Sequence, residues 1–124
     1  MAKLKHTPKS YAEAAEVLGN RTSRKLGNNT WLERDRLDVL VVRLHGTYIV
    51  HFHKDGAVIL HTGGYRTVTT KDRINQFIKG RVYQKNYAWF FTPRISDVLG
   101  GFAWGKPISF TEGINVGRGY NVQA

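Results

Sequence analysis

Four of the five histidines, His45, His51, His53 and His61, fall close together in the chain. On a strand, His51 and His53 share one face about 7 Å apart. Two such rings with a third ligand form a known metal-site geometry, and a small hydrolase or nuclease would draw on His51, His53 and His61. No carboxylate lies near in sequence on that face to complete a ligand set or serve as base, and Asp55 belongs to an Asp-Gly turn. A broader constellation runs from Tyr65 to Arg94, where Tyr65, Arg66, Lys71, Arg73, Lys79, Arg81, Tyr83, Lys85, Tyr87, Trp89 and Arg94 interleave cations with aromatics. Lysine and arginine neutralise phosphates, and exposed rings stack on unpaired bases, so this mixture suits a nucleic-acid surface. On a strand, however, Trp89 and Phe91 point one way and Phe90 the other. At least one of these sets belongs to the core, and Trp89 or Phe90 is expected to be buried.

Catalytic and cofactor motifs are lacking. The chain has no cysteine, which removes disulfides, thiolate metal sites and a cysteine nucleophile. It has no Gly-x-x-x-x-Gly-Lys loop, no strand-following Gly-x-Gly-x-x-Gly and no Gly-x-Ser-x-Gly elbow. The nine acidic residues are scattered instead of paired. The expectation is a protein that binds and does not catalyse, with no cofactor and no metal.

Charge points the same way. The formal net charge is +10, and it is unevenly placed. Residues 1–34 carry a net +4 and residues 66–94 a net +6, while the segments 35–65 and 95–124 each balance to zero. Two basic blocks fit a surface that meets a polyanion, although a merely solvated basic face would give the same count. No apolar run approaches the length of a membrane span or follows the basic N-terminus as a signal peptide would, so a cytoplasmic protein without membrane contact is expected.

The elements that must hold these residues form an α+β domain. Its 124 residues fit a single unit. Ser10 and Glu13 make a capping box before a short helix that Gly19 and Asn20 stop. Arg21–Asn29 reads as a polar loop or turn, and Thr30–Arg34 as a short strand. Asp38–Leu44 is apolar on both faces, as a covered central strand would be. After a tight turn at His45–Thr47, Tyr48–His53 sets Tyr48, Val50 and Phe52 against Ile49, His51 and His53. Lys54-Asp55-Gly56 is the strongest hairpin signal, and Ala57–Thr62 returns from it to complete a three-stranded meander. A second helix with Thr70 as N-cap is expected to pack Ile74, Phe77 and Ile78 on the sheet, to project Lys71, Arg73 and Lys79 elsewhere, and to end at Gly80. A second hairpin turns around Asn86. Residues 1–9 form a flexible N-terminus, and residues 93–124 a glycine-rich extension with one late strand near Ile108–Thr111.

Three runs carry a resemblance: Asn20-Arg21-Thr22-Ser23-Arg24-Lys25-Leu26-Gly27-Asn28-Asn29-Thr30, Val42-Arg43-Leu44-His45, and Thr62-Gly63-Gly64-Tyr65-Arg66-Thr67-Val68-Thr69-Thr70-Lys71-Asp72-Arg73-Ile74-Asn75. Over roughly residues 18–92 the chain resembles a group of small uncharacterised proteins of tailed bacteriophages and prophages. The resemblance implies a setting, the cytoplasm of an infected bacterium, and transfers no catalytic residue.

These readings lead to a non-enzymatic phage-type nucleic-acid-binding protein. Arg21, Arg24, Lys25, Arg66, Lys71, Arg73, Lys79 and Arg81 would supply phosphate contacts and Tyr65 a base platform. Two alternatives stand beside it. One is a module that docks on a host enzyme or virion protein through an apolar patch at Phe102 and Trp104. The other is the histidine-dependent hydrolase.

Overall fold

The computed structural model describes residues 3–96 and 101–117, which hold two helices and ten strands. It is an α+β fold of antiparallel sheets with a meander at its centre. Helix α1 (Tyr11–Leu18) starts where the Ser10 hydroxyl accepts the Glu13 N–H at 3.2 Å, and it stops at Gly19 with φ 63°. Its buried Ala14 and Leu18 pack it on strands β2 (Thr30–Arg34) and β3 (Leu40–Leu44).

The larger sheet has the order β1-β2-β3-β4-β5-β10, with β1 at Ser23–Gly27, β4 at Thr47–Phe52, β5 at Val58–Leu60 and β10 at Ile114–Asn115. The meander β3-β4-β5 is its interior. Residues 21–29, polar enough to suggest a loop or turn, instead supply most of their length to the edge strand β1. That strand alternates exposed Ser23 and Lys25 with half-buried Arg24 and buried Leu26, so it offers only one apolar inward position. Such a strand is held by its ladder to β2 and not by hydrophobic pattern.

The alternation expected for β4 breaks at one position. Val42 pairs with Val50 and Arg43 with Tyr48, which leaves Ile49 as an extra residue in a bulge. Ile49, Val50 and Phe52 are therefore all buried, while Tyr48 and His51 share the outer face with ring centroids 6.4 Å apart.

Helix α2 (Val68–Asn75) begins one turn earlier than the sequence signals imply. Thr67, not Thr70, is the N-cap, and its hydroxyl accepts the Thr70 N–H at 3.1 Å. Three nearby threonines have equivalent capping chemistry, so sequence alone cannot rank them. The helix ends at Asn75, and Gly80 instead opens strand β6 (Gly80–Lys85). Asn75 fastens the two elements: its side-chain amide donates to the Val82 carbonyl at 2.8 Å and accepts the Val82 N–H at 2.7 Å. Strand β6 turns through Asn86 and Tyr87, both at positive φ, into β7 (Ala88–Ser96). Both β8 (Phe102–Trp104) and β9 (Ile108–Ser109) pair with β7, and β10 then crosses to pair with β5. The described part of the glycine-rich tail thus supplies strands to both sheets.

One continuous apolar cluster fills the space between these layers, from Leu4 and Leu18 through Val42, Val50 and Phe52 to Phe77, Phe91 and Phe110. Leu4 is buried and its N–H donates to the Gln76 side chain at 2.8 Å, so the segment before α1 is laid against the end of α2. Asp38 in turn gathers α1, β2 and the β4–β5 turn. Arg34 (2.6 Å), Lys54 (2.7 Å) and the Tyr11 hydroxyl (3.1 Å) all meet its carboxylate. Hydrogen bonds from Lys54 and then Arg34 hold that carboxyl at about 2, well below the ordinary range. Among the described residues no helix is long and apolar enough to cross a membrane.

Candidate nucleic-acid interface

The connection from β5 to α2 carries the most exposed mixture of ring and charge. Gly63 and Gly64 both take positive φ, and Tyr65 N–H closes a turn on the Thr62 carbonyl at 3.0 Å. The left-handed backbone there suits glycine. The turn lifts Tyr65 out of the molecule, with 65% of the residue exposed, and places Arg66 and Val68 beside it at the surface. Beneath lie two buried rings, Trp89 of β7 and Phe110, edge to face at 5.7 Å. The Arg66 guanidinium stands 5.2 Å from the Phe110 centroid and 5.7 Å from that of Trp89, and the Lys71 ammonium is also 5.7 Å above Trp89. Attraction between cation and ring face fixes both side chains at the top of the core. Trp89 is therefore a support for cations and not itself a base platform.

Glu112 completes the arrangement from fifty residues downstream. Its carboxylate accepts the Thr62 N–H and hydroxyl at 2.6 Å each and meets Arg66 at 3.6 Å. Burial alone would raise this carboxyl, but the hydrogen bonds from Thr62 and Gly63 and the charge of Arg66 together hold it below its ordinary value. Beside this group a cleft of about 480 Å³ opens, lined by Leu44, His45, Thr47, Ile49, Tyr65 and Thr70 among others. Its size lies in the range of small-ligand pockets.

The nine residues expected to contact nucleic acid divide into separate places. Tyr65, Arg66 and Lys71 come together as described. Lys25 is exposed on the outer face of the larger sheet, paired with Trp31, and Arg21 is exposed between α1 and β1. Arg24 is committed to structure: it donates to the Val17 carbonyl at 2.7 Å and contacts His6 Nε2 at 3.2 Å. It closes the end of α1 and pins the N-terminal segment. Arg73 is not on the surface at all, being only 6% exposed. Thr70, Arg73, Ile74 and Phe77 fall at i, i+3, i+4 and i+7, the spacing of a core-facing helical stripe, which the turn after α2 carries on to Phe77, and all four are buried. The stripe was hard to see because half of it is polar. Lys79 and Arg81 are exposed at and beyond the far end of α2.

The histidines come only partly together. His51 and His61 meet edge to face at 5.2 Å on the outer sheet face. Burial, followed by the charges of His61 and His53, pushes the His51 imidazole below its ordinary value. His45 sits on the β3–β4 turn with φ 53° and lines the cleft. Among the described residues no group of three or more histidines and carboxylates is arranged to hold a metal. The same outer face carries a cross-strand row, Lys25–Trp31–Arg43–Tyr48, in which Arg43 lies 5.7 Å from the Trp31 ring and bonds Glu33 at 2.9 Å. Sequence reasoning passed over Arg43, Phe110 and Glu112. For the last two no local signal existed, because the topology alone brings them to Arg66.

The structure thus defines a small basic α+β protein with a cationic and aromatic surface at the N-terminal end of α2. Residues 7–116 match the family model described as Kyanoviridae Gp96 protein, and the chain belongs to that family. It is a family of bacteriophage proteins, in agreement with the resemblance read from the sequence. No curated protein matches the chain, and no solved structure does.

Proposed function

We propose that this phage protein binds nucleic acid without catalysing a reaction on it, through the surface formed by Tyr65, Arg66 and Lys71. The observation that carries the reading is Tyr65, standing exposed beside two cations that are propped on the Trp89 and Phe110 rings. An exposed ring offers a stacking face to a base, and fixed cations offer charge to the flanking phosphates without losing much side-chain freedom on binding. The adjoining cleft gives an unstacked base somewhere to go. The net charge of +10 draws the polyanion in from a distance.

A host or phage protein as partner has weaker support. Of the large exposed apolar residues away from Tyr65, Leu37 lies in the β2–β3 turn, Tyr87 in the β6–β7 turn and Trp104 on β8, and the Phe102 side chain lies outside the described parts. A bacterial cytoplasm as the place of action follows from the phage family and belongs to the same proposal.

The test compares the wild type with Arg66→Gln/Lys71→Gln and with Tyr65→Ala in binding fluorescent single- and double-stranded oligonucleotides. The charge variant should lose about tenfold in affinity, equivalent to about 1.4 kcal/mol, for both ligands. Tyr65→Ala should lose about 1–3 kcal/mol on the single strand alone. Circular dichroism confirms that each variant is folded. Unchanged affinity in both folded variants would exclude this surface.

A further inference from the structure

The opposite end of α2 gathers a second group of cations. A helix leaves its last carbonyls without intrahelical partners, and here Lys9 supplies a donor, its ammonium reaching the Gln76 carbonyl at 3.1 Å. Leu4 N–H binds the Gln76 side chain at 2.8 Å, which brings Lys3 to the same corner. From the other direction the Arg94 N–H meets the Lys79 carbonyl at 3.5 Å, so the C-terminal half of β7 runs beside the chain leaving α2. Three parts of the sequence, around residues 3–9, 76–79 and 94, therefore deliver Lys3, Lys9, Lys79 and Arg94 to one place.

The cluster is uneconomical as a structural device. One ammonium suffices for the Gln76 carbonyl and for the helix dipole, and Lys9 is that one. Burial lowers the Lys9 ammonium below its ordinary value. Glu13 opposes that change, while Lys3, Arg94 and Lys79 add to it. Glu13 offsets part of the repulsion from these three further positive charges, and Asp72, whose carboxylate accepts from the Gln76 side-chain amide at 3.2 Å, stands at the same corner. Among the described residues neither Lys3, Lys9 nor Lys79 takes part in an ion pair. Like charges held together at a cost to folding are what an anion site requires.

We infer that Lys3, Lys9, Lys79 and Arg94 form a second phosphate-binding point, gripping the backbone of the same nucleic acid that Tyr65, Arg66 and Lys71 hold. The inference rests on the nucleic-acid reading above and adds to it a direction, along α2. Lys71 and Lys79 are eight residues apart, four of them along α2 and four in the turn beyond Asn75, a span of at most about 20 Å. A strand covers that distance in no more than about six nucleotides at about 3.4 Å each. The two points then fix both the position and the path of the strand, while base contact stays at the Tyr65 end.

The experiment uses the full chain and fluorescent mixed-sequence oligonucleotides, single- and double-stranded, over a sodium chloride series. It compares wild type, Lys3→Gln/Lys79→Gln, Lys3→Arg/Lys79→Arg and Arg66→Gln/Lys71→Gln. Lys3 and Lys79 are both exposed, so their exchange should leave the fold intact by circular dichroism. The glutamine pair should lower affinity several-fold. It should also flatten the slope of log affinity against log salt by about 1.4 for single strands and about 1.8 for duplex, the value for two phosphate contacts. The arginine pair should restore both. If the wild type binds and Arg66→Gln/Lys71→Gln weakens it, while Lys3→Gln/Lys79→Gln leaves affinity and slope unchanged, the second point is wrong and the first stands. If the wild type binds neither oligonucleotide, both fall together.

Discussion

Phe91→Ala should cost about 3–5 kcal/mol of stability, the usual scale for removing a buried ring. Phe91 is fully buried on β7, the strand to which β6, β8 and β9 all attach. The site cannot relax into the space left behind, because its wall is backbone. Gly80 lies against the ring so closely that a Cβ there would stand 2.7 Å from Phe91 Cε1 and 2.6 Å from the Thr92 carbonyl oxygen. Gly80 also takes φ 144°, a conformation that other residues rarely adopt. Ring and glycine thus fit closely against each other, and the ring's loss leaves a cavity. Since a domain of this size has a total stability of about 6–19 kcal/mol, the variant should lose a large share of it. Urea denaturation reads the change directly. Leu37→Ala, at a position 85% exposed, is the control and should shift stability by no more than about 0.5 kcal/mol. A Phe91→Ala cost near that of the control would show that β7 does not anchor the second sheet.

Glu112 carries the second large effect, and its two consequences have opposite signs. Thr62 is fully buried, and Glu112 receives both its N–H and its hydroxyl. Glu112→Ala strands these donors, at a cost of about 1–3 kcal/mol. Nucleic-acid affinity should rise in the same variant, by roughly two- to five-fold, the scale of an exposed ion pair. Removing the carboxylate frees Arg66 and deletes the negative charge nearest to it. The pH behaviour follows from the lowered value of this carboxyl. Because the folded state favours the ionised form, the contribution is complete above the ordinary value of 4.5 and is lost as pH falls through the lower folded value. Stability of the wild type should therefore decline in acid more steeply than that of Glu112→Gln. Thermal denaturation from pH 7 to pH 3 measures the difference. Parallel curves would mean that Thr62 is satisfied by geometry alone, whatever the charge.

The meander and both helices are legible because their signals are local: the Ser10 cap, the Asp-Gly turn, the run of β3 that is apolar on both faces. The second hairpin was visible at Asn86 for the same reason. Strand β1 was not, since its residues Ser23, Arg24 and Lys25 have polar side chains and its stability comes from the ladder to β2. The bulge at Ile49 was hidden because nothing in Tyr48-Ile49-Val50 marks an extra residue. The cationic surface was half legible. Tyr65, Arg66 and Lys71 stand near one another in sequence and in space, whereas Arg73 was assigned to the surface because charge usually lies there. Helical period decides its place instead, four residues before Phe77 and beside Ile74. Glu112 and the Lys3–Lys9 contribution to the far end of α2 depend on long-range contacts that no local pattern encodes.

The most direct test of the central claim is the affinity of the wild-type protein for a fluorescent oligonucleotide measured from low to high salt. The protein should bind at physiological salt, and the logarithm of its affinity should fall linearly with log salt, with a slope of about −3 or steeper if four or more phosphates are neutralised. Absence of binding near physiological salt, or an affinity indifferent to salt, would contradict it.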